Sequence, residues 1–194
     1  MFKLKLVLIF CGFVFIYLAF EERRLAQFAK SAPSTITCAD LAAKGPGDNA
    51  YVTLTEYELG SNFVYETGSK MNSGWTLVYV PAVPKHDLNP LPQSKGVVHP
   101  RVIIKSNAVE TESDLPRIAG RLEGMVINEI RSLSGQQKRL LLESYPGTNL
   151  DTCWIVEHGR RPAGLGKVFA LAALGVALSG SGIGLFFVRR KAKA

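Results

Sequence analysis

The chain has 194 residues, which leaves room for one ordinary domain once its two apolar ends are set aside. Its formal charge of +7 comes from Lys3, Lys5, Lys167, Arg189, Arg190, Lys191 and Lys193, all flanking those ends, while residues 21–166 carry 16 basic and 16 acidic side chains and are neutral. The pI of 9.4 therefore marks membrane flanks, and without a basic stripe or a recognisable module on the central region the class excluded is a nucleic-acid binder.

From Leu6 to Phe20 fifteen residues carry no charge, roughly 22 Å of helix against a hydrocarbon core of roughly 30 Å. Counting from Met1 brings the run to twenty, since Lys3 and Lys5 can extend their ammonium groups toward headgroups. Residues 1–22 are read as an uncleaved transmembrane anchor. The rival is a signal peptide, but Leu18, Ala19 and Phe20 run straight into Glu21 and Glu22 with no small-x-small cleavage site. Cys11 follows bulky Phe10 inside the apolar run, which does not suit a lipoprotein anchor. Residues 23–34, with Leu25, Phe28 and Ala29 on one helical face, read either as a juxtamembrane helix or as a solvated linker, closing in a small-residue and proline joint at Ser31–Ser34.

Residues 35–160 form the predicted domain. Thr37 with Asp40 makes a capping box for a short helix that stops at Gly45, and Pro46-Gly47-Asp48-Asn49 is a turn. Tyr51–Glu58 and Phe63–Glu66 read as β, followed by a turn at Asn72-Ser73-Gly74 and a central strand over Trp75–Val83. Pro81, Pro84, Pro90, Pro92 and Pro100 make 81–100 an extended loop in which no regular element is expected. The stretch reads either as a plain connection or as a candidate binding loop, the latter formed by Tyr79 just before it with Pro81, His86 and Asp87. Val102–Lys105 is a strand, and Arg121–Ile130 is a strand for which a helix is the alternative. Ser134 with Gln137 forms a second capping box, opening a helix that carries Leu140, Leu141 and Leu142 and ends before Tyr145-Pro146-Gly147. Thr152–Glu157 is the last strand. This order predicts an α+β fold: a single mainly antiparallel sheet domain with two or three short helices, flanked by N- and C-terminal transmembrane helices.

Residues 161–188 are a linker and the C-terminal transmembrane helix, and 189–194 a basic cytoplasmic tail. Val168–Val188 is uncharged for twenty-one residues and is the strongest single signal in the sequence. Within it Ala173, Ala177, Gly180, Ser181 and Gly184 share one helical face, a candidate helix-packing surface for the first helix, a second copy or another protein. The basic ends favour both termini in the cytoplasm and an extracytoplasmic central domain, because a loop of this length crosses largely regardless of its own charge.

Cys38 and Cys153 lie near the two ends of the domain. Bridged, they would close a loop of about 115 residues, worth roughly 4–5 kcal/mol in the chain-entropy picture; unbridged, they are two small apolar residues. His86, His99 and His158 are scattered, without metal-ligand spacing, and read as surface histidines. No metal site or cofactor is expected, and no G-x-S-x-G, HExxH, CxxC or Walker loop is present. The two-span layout resembles, in arrangement alone, that of certain membrane assembly factors and of two-span ubiquitin ligases; no motif carries either likeness, the RING cysteines are missing, and no residue or activity transfers. The expected partners are the lipid bilayer and other membrane protein subunits or a second copy. The expected function is a membrane-anchored interaction, assembly or accessory protein; the alternative is a membrane-bound enzyme or ligand-binding module using the proline-rich loop and the aromatics Trp75 and Tyr79.

Overall fold

A computed structural model describes residues 2–68, 74–85, 99–127 and 133–191. The chain divides into two compact units, Met1–Phe28 with Pro162–Ala194, and Ala29–Arg161.

The first unit is a pair of helices, α1 (Phe2–Gln27) and α4 (Leu165–Lys191). At 26 and 27 residues each extends about 40 Å, and both are long and apolar enough to cross a membrane. They run antiparallel. At one end Lys167 Nζ lies 3.1 Å from a Glu22 carboxylate oxygen, and at the other the Lys5 ammonium donates to the Leu185 carbonyl. The helical state of α1 continues past the acidic pair through Leu25 to Gln27.

The second unit is an α+β domain built on eight strands: β1 (Ser34–Thr37), β2 (Tyr51–Thr55), β3 (Tyr57–Leu59), β4 (Val64–Thr67), β5 (Trp75–Pro84), β6 (Val102–Ser106), β7 (Arg121–Ile127) and β8 (Trp154–His158). Two short α-helices, α2 (Cys38–Lys44) and α3 (Gly135–Ser144), begin where the capping boxes place them. The Asp40 and Gln137 amides donate to the Thr37 and Ser134 hydroxyls, satisfying N–H groups that a helix start leaves free. Gly45 ends α2 at φ 76°, with the Trp154 ring where a Cβ would stand, so two reasons select glycine there.

The strand order is β1-β2-β7-β8-β6-β5-β3, with β4 also on β5. Antiparallel pairing predominates, as expected, but the sheet is mixed and nearly barrel-like: β1–β2 and β6–β8 are parallel, and the other five pairings are antiparallel. β2 and β3 are one stretch of chain, bent at Glu56. That residue adopts φ 56°, unusual for a residue with a side chain, and its carbonyl accepts the Lys85 amide. Before the bend the stretch pairs with β7; after it, with β5. A single kinked strand thereby links the two ends of the sheet order and curls it into a nearly closed barrel, in the circuit β2/β3–β5–β6–β8–β7.

Alternation along these strands sends Val52, Leu54, Val78, Val80, Val102, Ile104, Leu122, Val126 and Val156 into one core. A 3-10 helix at Glu112–Ile118, not anticipated from the sequence, adds Ile118 to that core and accepts the Tyr57 hydroxyl on its Ile118 carbonyl. The opposite face is also buried at Tyr79, Ile103, Met125 and Ile155, as expected for strands covered on both sides.

Three further differences have physical causes. The expected absence of regular structure from Pro81 onward is wrong at its start, because β5 runs to Pro84. Pro81 presents its carbonyl to Gly60, so its missing N–H falls where β4 and β3 part along β5, the one place a mid-strand proline leaves no ladder partner unpaired. β1 occupies part of the predicted small-residue joint, pairing parallel to β2. The last strand starts at Trp154 instead of Thr152, since Leu150–Thr152 forms a short 3-10 turn capped by Asn149. Asn72 and Ser73 of the predicted turn, and the end of the Arg121–Ile130 strand beyond Ile127, lie outside the described residues.

Candidate functional site

In the helix pair every seventh residue on each helix turns inward: Lys5, Gly12 and Ala19 on α1; Val168, Gly175 and Gly182 on α4. The backbones approach so closely that no side chain fits at the glycines. A Cβ on Gly12 would stand 2.6 Å from the Gly175 carbonyl oxygen, one on Gly175 2.8 Å from that of Gly12, and one on Gly182 3.1 Å from that of Lys5. Ser179 Oγ is buried at this crossing without a hydrogen-bond partner among the described residues. The large side chains point away: Phe10, Phe13, Phe20 and Phe169 are between 62% and 70% exposed.

The five small residues singled out in the sequence do not line this contact. Ala173, Ala177, Gly180, Ser181 and Gly184 are all exposed, and a Cβ on Gly180 or Gly184 would meet no described atom within 4 Å. Thus α4 carries two small-residue faces, one against α1 and one unoccupied in the chain by itself. The first shares helical spacing with the second and was missed for that reason.

In the barrel domain the candidate binding loop divides. Tyr79 is 2% exposed, its hydroxyl pushed up to about 12 by burial and by the nearby charges of Glu66 and Glu157. Pro81 is buried within β5, and His86 and Asp87 lie outside the described residues. Tyr79 and Pro81 are thus structural members of a covered strand. Phe63, Tyr65 and Trp75 instead form an aromatic cluster at the β4–β5 end, with Tyr65 and Trp75 stacked 4.6 Å apart. Phe63 and Trp75 pack against the barrel core.

Glu157 and His158 point to opposite faces of β8, as neighbours on a strand must. Glu157 accepts from Arg160 at 2.6 Å and lies 3.4 Å from Lys105. Burial alone would raise its carboxyl, but the Arg160 hydrogen bond and the two cationic charges outweigh it and hold the group below the ordinary range. His158 is not the surface histidine expected. Its Nδ1 is 3.0 Å from Ser106 Oγ, and burial lowers its pKa. This is a serine-histidine pair by residue type but not by environment: Ser106 is 1% exposed and its oxygen already accepts the Ala108 amide, so no substrate carbonyl could reach it. His99 is exposed beside Gly147.

Both domain cysteines are buried, with no disulfide between them. Cys38 faces the Ala82 carbonyl within the main core. Cys153 donates to Pro100 and Asn149 carbonyls, and burial pushes its thiol up to about 11, which leaves it unreactive. Among the described residues no three His, Cys, Asp or Glu side chains gather as a metal site.

The five-strand barrel circuit, with β6 and β8 as its one parallel pairing, is a scaffold that by itself specifies no function. Comparison with protein-family models, with curated proteins and with solved structures finds no match for this chain.

Proposed function

We propose that this is a membrane-anchored interaction, assembly or accessory protein: two spans, both termini cytoplasmic, and the barrel domain held at the extracytoplasmic face. One observation carries the reading. The helix pair buries glycine and alanine and exposes phenylalanine and leucine, an arrangement that water would oppose and hydrocarbon accepts. Its partners are the bilayer and another membrane protein or a second copy, received by the outward face of Ala173, Ala177, Gly180, Ser181 and Gly184. Among the described residues of the barrel no metal-ligand set gathers, and Ser106 of the Ser106–His158 contact is buried.

The test has two arms. After alkaline carbonate extraction and high-speed sedimentation the full chain is expected in the membrane pellet; recovery in the supernatant overturns the anchored reading. From mild detergent the chain is expected to co-purify with a membrane subunit or with a differently tagged copy of itself, and G180L/G184L should abolish that association while leaving the α1–α4 pair intact. A wild-type chain that elutes alone and monomeric removes the assembly role.

A further inference from the structure

We draw no further inference here: the strongest candidate, the exposed apolar patch that Tyr65, Leu140 and Leu142 contribute where β4 adjoins α3, carries nothing because the structure does not show what covers it.

Discussion

The two units of this chain bury opposite kinds of residue. In the barrel domain the largest side chains are inside: Tyr57, Tyr79, Leu54, Ile103, Ile104 and Ile155 are at most 2% exposed, and expelling their apolar area from water drives the fold. In the helix pair the inward positions include Gly12, Ala19, Gly175 and Gly182, while Phe10, Phe13, Phe20 and Phe169 are turned out. Where lipid is the solvent a leucine gains little by leaving it, so what remains is close backbone packing, which only small residues allow. On the membrane-anchored reading proposed above, each unit is built for a different medium. Substitutions of opposite kinds should damage them.

The largest expected effect is in the barrel. Ile104 is fully buried in the main core, and truncating it to alanine should cost about 2–5 kcal/mol. Trp75 and Trp154, the chain's two tryptophans, both belong to the domain, so urea unfolding of the full chain in detergent, followed by tryptophan fluorescence, reads this unit by itself. An unchanged midpoint for I104A would break the account of the core. In the helix pair the damaging change is enlargement. Gly175→Leu should separate the backbones at a cost of about 1–3 kcal/mol, read as loss of cross-linking between cysteines placed at Glu22 and Lys167, whose side chains meet at 3.1 Å. The same enlargement at Gly180 should leave that cross-link untouched, because its side faces away. Equal effects at the two glycines would erase the distinction between the two faces of α4.

The cysteines give an intermediate test. Cys38 and Cys153 are both buried, with no disulfide between them, so alkylation with and without reductant should label the same three cysteines once the chain is unfolded, and neither domain thiol before. Labelling that requires reductant would restore the bridge that their positions in the sequence allow.

What could be read in advance was local. A serine or threonine with an acidic or amide side chain three residues on needs no distant partner to act, and both α-helices capped this way start as expected at Thr37 and Ser134, while a third such box, Thr111 with Asp114, opens the 3-10 helix that was not anticipated. The two apolar helices were legible from charge-free length. The sheet was legible as strands but not as a circuit: the bend that curls it rests on Glu56, and a positive φ at glutamate leaves no trace in composition. The parallel pairing of β6 with β8 joins residues about fifty positions apart, and the Ser106–His158 contact depends on that pairing. The short polar strand β1 reads as a joint until β2 supplies its partner. Of the candidate site, the small-residue character of α4 was visible, whereas which face meets α1 was not, since Gly175, Ser179 and Gly182 repeat with the same helical period as the face left outside.

The smallest effect expected concerns pH, and it separates two neighbours on β8. His158 has its pKa lowered by burial, so the folded chain keeps the ring neutral where the unfolded chain, at about 6.5, already takes up a proton. Below that value the unfolded state binds more protons, and stability must fall as the pH drops toward the folded pKa. Glu157 acts with the same sign in a lower window. Its folded carboxyl is depressed, so its contribution is complete above roughly pH 4.5 and is lost as pH falls through the folded value. Urea midpoints measured from pH 7.5 to 3.5 should therefore decline in two stages. H158Q should flatten the first and leave the second; E157Q should lower stability near neutrality and flatten the second. Each stage is expected to be smaller than the loss in I104A. A first stage that survives H158Q would place the mildly acidic titration on another group.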